Sequence, residues 1–355
     1  MVAVSFIPNS WVDNNVQSSA QVMEEEGIYH KLNLADKNAT QLDNFTDRIM
    51  VRKALETSEN PLERAMVPSY ARYLQGYLTF LKPLLVFVSI GSIRFIYSVV
   101  LLALIFMVFN QLNVRFGMKV AALFGIILIG IRYYILPLSM QFSDVFIILF
   151  GAVLVLLKYL DTAQSSKFRI VYFLIVGGVT NFVDFLTVPL ITYLIPLSLY
   201  LYASIDTNKE TMNRLKNFVM VYTSAGVAWF IGYAGTWVSK WLISSLVLKK
   251  NVVSDAITQI LFRTEGDATY PVNHLFTIVT NLKLMFSKNY ILLLLVVGIV
   301  FVSYQMMLKH WRTSQIKWEL VIISCIPFIW YWQIIPKSMR GSHIDCLQDL
   351  YLQLG

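Results

Sequence analysis

Two carboxylates four residues apart, Asp43 and Asp47, stand in the stretch QLDNFTDRIMVRKAL. On a helix, positions i and i+4 share one face, with Cβ atoms about 6 Å apart. At that separation a carboxylate pair can share a divalent cation. Alternatively, one carboxylate can act as a general base while the other tunes it. The same spacing is common on the solvated face of ordinary helices. Spacing alone favours the solvated face.

Four further places bear on chemistry. PSYARYLQGY sets Arg72 among Tyr70, Tyr73 and Tyr77, just ahead of the apolar part of the chain. A guanidinium beside aromatic rings suits phosphate or sugar binding, and suits a membrane-interface anchor equally well. Arg132 lies in GIRYYILP, Asp184 in GGVTNFVDFLTVP, and Lys240 in GYAGTWVSKW, close to Trp229, Tyr233, Trp237 and Trp241. Ionisable residues in or beside apolar runs are costly in a bilayer, so each is a functional candidate by default. Each also has a plainer role: a snorkelling lysine in an aromatic belt, a helix stop at Asp184, a boundary anchor at Arg132. The chain carries no P-loop, dinucleotide fingerprint, HExxH or nucleophile elbow. Cys325 and Cys346 show no CxxC or Cys/His spacing, which argues against a zinc site or a disulfide framework.

The elements that must position these residues are those of a membrane protein. The 355-residue chain is 57% hydrophobic and 14% charged, with mean hydropathy +0.60. Soluble domains carry nearer a quarter of charged residues. Residues 1–95 hold nine Lys/Arg against ten Asp/Glu, and the remainder twenty against eleven. A basic excess on membrane loops is what orientation requires, so nucleic acid is not implied. Residues 1 to 77 read as a water-exposed region with two helices. One, VQSSAQVMEEEG, ends at Gly27; the other, DNFTDRIMVRKALETSENP, stops before Pro61 and is amphipathic. The 77–92 stretch, interrupted at Lys82-Pro83, reads as an interfacial piece.

Apolar runs long enough to span a bilayer are predicted at 95–112, 119–136, 142–159, 170–186, 187–204, 218–247, 290–307 and 318–335. The fold expected is an all-α polytopic transmembrane bundle of about eight spans over 95–335, with an extracytoplasmic helical region over 1–94. The loops NVRFGMK, KYLDTAQSSKFR, DTNKETMNRLK and LKHWRTSQIK are basic and alternate with PLSMQFSD and DFLTVP, which have no Lys or Arg. The positive-inside rule makes the basic loops cytoplasmic. It puts 1–94, the turns near 134–143 and 184–189, and the 248–289 loop outside. Residues 1–94 then need a preceding span to carry them across.

DNFTD (43–47), ARYLQG (71–76), LKPLL (81–85), TNFVDFLTVPLITYLIPL (180–197) and GYAGTWVSKW (232–241) carry a resemblance that covers most of the chain. They resemble a family of large, mostly uncharacterised polytopic membrane proteins of Gram-positive bacteria. In that family's pattern a first span precedes D-R-Y-A-D, then L-R-Y-W-H-G, a basic-P-L-L run and many spans. The family's Trp-His is Leu74-Gln75 here, so one histidine is absent. The family's last span ends in N-H-S-x-x-H-x-W-F-T-Y-R. Shifting the reading frame across Ile334–Asp345 lets permitted codons spell N-H-S-Q-K-H-A-W-F-T-Y-R. The expectation is a fragment that lacks a first span and is frameshifted after about Gln333, with 336–355 a shifted tail.

The layout is similar to GT-C-type glycosyltransferases. The resemblance implies a plasma-membrane enzyme of cell-envelope glycan assembly that uses a polyprenyl-phosphate-linked sugar at the outer face. Asp43 or Asp47 would be base or ligand to a divalent cation, and Arg72, Arg132 and Lys240 would hold lipid phosphate. Tyr73 and Trp237 would stack on sugar, and Asp184 would line the site. The fragment would be impaired. A transporter or flippase with Asp184 and Lys240 on its pathway, and a non-catalytic membrane protein, are the alternatives. Sequencing the locus tests the fragment expectation: an in-frame upstream span and a shifted-frame NHSxxHxWFTYR support it, and a clean frame without either overturns it.

Overall fold

A computed structural model describes residues 1–32, 40–58, 60–162, 165–184, 187–204 and 211–265. The spans predicted at 290–307 and 318–335, the 336–355 tail and residues 266–289 of the outer loop lie outside them. The chain divides into two compact units, Met1–Val253 and the residues from Ser254 onward. Among the described residues the fold is all helical, with no named strand and one isolated bridge between Lys31 and Gln41.

Five helices precede the long apolar ones: α1 (Val2–Ser5), α2 (Asn9–Glu26), α3 (Asn44–Arg52), α4 (Pro61–Met66) and α5 (Leu78–Phe87). The α2 helix ends where its sequence says, at Gly27, whose φ of +88° few side chains tolerate. The α3 helix is shorter than predicted. It tightens into a 3₁₀ turn at Lys53–Leu55, and a separate helix begins at Pro61. Asn60 accepts the Leu62 N–H there and Pro61 takes the first helical position, so the pair starts a helix rather than ending one. Pro83 sits inside α5, and the break falls later, at extended Val88.

The bundle follows: α6 (Ile90–Phe116), α7 (Met118–Gly130), α8 (Met140–Lys158), α9 (Ser166–Val183), α10 (Ile191–Ser204), α11 (Thr211–Leu248) and α12 (Val252–Glu265), which crosses the division between units. Among the described residues four segments are long and apolar enough to cross a membrane: Ile90–Phe116, Met140–Lys158, Ser166–Val183 and Lys216–Leu248. The α7 and α10 helices, predicted as spans, are shorter. The outward faces carry large apolar side chains in the open, among them Phe106, Ile129 and Phe230, as a lipid-facing surface does.

The N-terminal helices and the bundle share a core. Val12, Val16 and Met23 of α2 meet Met50 and Val51 of α3, Leu81 of α5, Ile90 and Ile93 of α6, and Met140 of α8. A second cluster joins Leu101 and Val108 of α6 to Leu149, Phe150 and Val153 of α8. The α9 and α11 helices pack closest of all. A methyl group added at Gly177 would overlap the Trp229 carbonyl, and one at Gly232 would overlap the Leu174 carbonyl. Small residues at such crossings are how membrane helices approach without a hydrophobic drive.

The connections sort to two ends. At one end Arg115 pairs with Asp161, and Phe116 meets Tyr202. At the other, the N-terminal helices contact the starts of α6 and α8 and the ends of α9 and α11. Gly177→Ala and Gly232→Ala are each expected to destabilise by about 1–3 kcal/mol through overpacking. Gly235→Ala, where an added methyl meets nothing within 4 Å, is the neutral control. Thermal unfolding of the three variants in detergent checks this, and equal midpoints would refute the close crossing.

Candidate functional site

Asp43 and Asp47 have different surroundings, although one helix carries both. Asp43 is the N-cap of α3. Its carboxylate accepts the Thr46 N–H at 3.1 Å and the Thr46 hydroxyl at 2.8 Å. It is half-buried. Asp47, one turn on, is fully buried rather than on a wet face. Its oxygens accept the Met140 N–H at 3.1 and 3.0 Å, and the Ser139 hydroxyl and Gln141 N–H lie at 3.5 Å. Met140 and Gln141 are the first two residues of α8. The local N-cap, Ser139, makes no side-chain cap bond of its own. Asp47 therefore supplies the acceptor oxygens that the unsatisfied N–H groups at the start of a helix require.

Burial pushes the Asp47 carboxyl up to about 7. The Met140 N–H pulls the other way, and the neighbouring Asp43 charge adds to the rise.

Gln141 joins the two aspartates to the rest of this end. Its Nε2–H donates to Asp43 at 2.9 Å, and its Oε1 accepts the Thr187 hydroxyl at 3.2 Å. The Thr187 N–H donates to Asp184 at 2.9 Å. Asp184 closes α9 as its C-cap and is buried. One turn into α8, buried Asp144 accepts the Tyr97 hydroxyl at 2.6 Å. It lies within electrostatic range of Asp47 and Asp184. Arg94, at the start of α6, donates to Glu26 at 2.7 Å and to the Asn44 side chain at 3.0 Å. Asn44 in turn donates to Glu26 at 2.9 Å. Burial tends to raise the Glu26 carboxyl, but Arg94 and Asn44 outweigh it and hold it below the usual range.

A second cluster gathers Arg72, Tyr73, Trp237 and Lys240. The Arg72 guanidinium lies 4.3 Å from the Tyr70 ring centre and 5.7 Å from that of Tyr73. Tyr70 and Tyr73 stack at 5.0 Å, and Tyr73 meets Trp237 at 6.1 Å. The indole N–H groups of Trp237 and Trp241 both donate to the Arg72 carbonyl, at 2.8 and 2.9 Å. Lys240 is buried and donates to the Met66 carbonyl at 2.8 Å. These residues bind the segment after α4 onto α11. Between the clusters, the Gly76 N–H donates to the Phe182 carbonyl at 2.7 Å, two residues before Asp184. Arg132 lies past the end of α7 and precedes the 3₁₀ turn Tyr133–Leu138, in the left-handed conformation, φ 56°, half-buried.

The structure thus unites Asp43, Asp47 and Asp184 through Gln141 and Thr187. It sets Arg72, Tyr73, Trp237 and Lys240 in a neighbouring interface. Sequence reasoning missed Gln141, Asp144 and Arg94. The available signal was Gln141 and Asp144 three residues apart at the start of an apolar run, hence on one helix face. A divalent ion does not fit the carboxylate pair, because both Asp47 oxygens face N–H donors. Among the described residues no group of three or more His, Cys, Asp or Glu could hold a metal. Comparisons with family models, curated proteins and solved structures found no match to this chain.

The Asp47 environment has a pH signature. Its carboxyl rises from 3.8 unfolded to about 7 folded, so its contribution is full below 3.8 and is lost as pH rises through about 7. Across that window the wild type is expected to lose stability relative to Asp47→Asn, by roughly 1.4 kcal/mol for each pH unit between the two values. Unfolding midpoints of both proteins across the window check it, and parallel curves would sink it.

Proposed function

We propose that the chain is a multi-pass plasma-membrane protein whose N-terminal region lies outside. In this reading it is a GT-C-like glycosyltransferase using a polyprenyl-phosphate-linked sugar in cell-envelope glycan assembly. The observation that carries the reading is the placement of Asp43. It is a half-buried carboxylate, bridged by Gln141 and Thr187 to Asp184, at the end of the bundle opposite the basic connections. The positive-inside rule assigns the basic end to the cytoplasm and Asp43 to the outer face. The spans would number eight, with α7, α10, 290–307 and 318–335 joining the four long helices.

In this reading Asp43 accepts the proton of the acceptor hydroxyl as that oxygen attacks the anomeric carbon and the carrier phosphate leaves. Asp47 positions it by pinning α3 to α8. Tyr73, Trp237 and the Arg72 guanidinium on Tyr70 offer an aromatic and cationic surface of the kind sugars and phosphates use. Lys240, spent on the Met66 carbonyl, holds the fold rather than the phosphate.

One observation favours a second reading. Asp144 is a buried carboxylate inside a membrane-length helix, as in transporters with a polar pathway. The two readings separate by mutation. Asp43→Asn is expected to lower sugar transfer by about 100-fold or more at normal protein level, with Asp144→Asn retaining transfer. Full transfer by Asp43→Asn in a lipid-linked sugar assay ends the first reading. Transport lost in Asp144→Asn alone establishes the second.

A further inference from the structure

The flank of the N-terminal region formed by α1, the start of α2, α4 and α5 has two features that sugar transfer does not use. The first is apolar exposure. Phe6 is 66% exposed, Trp11 63% and Phe87 81%. Large apolar side chains on the bundle are open as well: Phe95 near the start of α6, and Leu242 and Leu246 on α11. Lys240 fixes the depth of the flank. It lies eight residues, about 12 Å, inside the end of α11, where it binds the Met66 carbonyl of α4. Met1 lies within electrostatic range of that same lysine. The α1 helix is thus level with an apolar, open stretch of a membrane-length helix. An exposed apolar patch at that level marks a bilayer surface.

The second feature is charge. A groove of about 580 Å³, lined by Pro8, Asn9, Thr57, Ser58 and Arg64, opens between Phe6 and Trp11 in sequence. Arg64 donates to the Ser5 carbonyl at 3.0 Å and the Ser58 carbonyl at 2.7 Å. Lys82 donates to the Asn9 side chain at 3.0 Å. Among the described residues neither cation has a carboxylate within ion-pair distance. Glu63, the acid nearest in sequence to Arg64, accepts the Ser58 hydroxyl at 2.8 Å. Burial draws the Lys82 ammonium down to about 8, and the Arg64 charge adds to the fall. Arg64 on the groove wall and buried Lys82 behind Asn9, neither in an ion pair among the described residues, give this site a net positive charge that matches one phosphate.

We propose that this flank lies in the headgroup layer of the bilayer. Phe6 and Trp11 reach the acyl boundary, and the Asn9–Arg64 groove holds the phosphate of an anionic phospholipid. The proposal requires a membrane-embedded chain and not a glycosyltransferase, so its failure and that of the sugar-transfer reading are separate events. The test uses the purified full chain. In nanodiscs with brominated lipid, tryptophan fluorescence is expected to lose a quenchable component in Trp11→Phe. Delipidated protein titrated with phosphatidylglycerol by native mass spectrometry is expected to bind about fivefold more weakly in Arg64→Gln or Lys82→Gln. Phosphatidylcholine binding should be unchanged, and Arg64→Lys should restore affinity. Lys82→Gln keeps a donor for Asn9, so it reads charge even where Arg64→Gln fails to fold. Quenching unaltered in Trp11→Phe, or full phosphatidylglycerol affinity in Lys82→Gln, overturns the proposal. Displacement of the lipid by inorganic phosphate alone also overturns it, and assigns the groove to a soluble anion.

Discussion

A helix begins with backbone N–H groups that no turn of its own can satisfy, and near the apolar layer of a membrane there is little water to do it. Three of the long apolar helices here begin at serines that make no side-chain cap, and two of these, Ser89 before α6 and Ser139 before α8, stand at the end shared with the N-terminal region. Both receive their caps from far upstream. The Ser19 hydroxyl accepts the Ile90 N–H at 2.9 Å, and Asp47 accepts that of Met140. The favour is returned at helix ends. Asn15 donates to the Leu85 carbonyl near the end of α5, and Lys240 to the Met66 carbonyl at the end of α4. Each such bond nets only about 1 kcal/mol, yet leaving its buried partner orphaned costs about 1–3 kcal/mol. The N-terminal region and the bundle are therefore joined by an obligation to satisfy one another's backbone, over and above their shared apolar core.

That obligation shapes the carboxylate end. Asp47 is bound to the start of α8 because α8 has no side-chain cap of its own there. Gln141 follows Met140 and so is carried to Asp43 and Thr187. The Glu26–Asn44–Arg94 triad then locks the end of α2, the start of α3 and the start of α6 together. Asp43 is left as the half-buried member of a framework otherwise engaged in holding helix ends.

The helical class, the amphipathic α3 and the stop at Gly27 were legible because each depends on a local pattern. The four long helices were legible within a few residues for the same reason. The fate of Asp43 against Asp47 was not. Both stand at helical spacing on one helix, and what separates them is Met140, 93 residues away. Lys240 reads as a phosphate ligand because a cation in sequence carries no sign of its acceptor, which here is the Met66 backbone carbonyl. Asp144 was passed over because it lies just past a turn, where a carboxylate looks like part of a wet loop. The helix breaks at Lys53 and Val88 follow from tertiary docking and have no Gly or Pro to announce them.

The two indole N–H groups that converge on the Arg72 carbonyl have a consequence for biogenesis. Their donors lie about 165 residues downstream of the acceptor. A ribosome completes the N-terminal helices long before it makes Trp237 and Trp241, and domains ordinarily fold in the order of synthesis. Here the segment around Arg72 cannot reach its final seat until α11 has been inserted. Until α11 is made the early helices wait with the Arg72 and Met66 carbonyls unmatched, a nascent state for membrane chaperones and proteases to survey. Assembly of this end is thus a late event, completed from the last long helix of the unit back to the first.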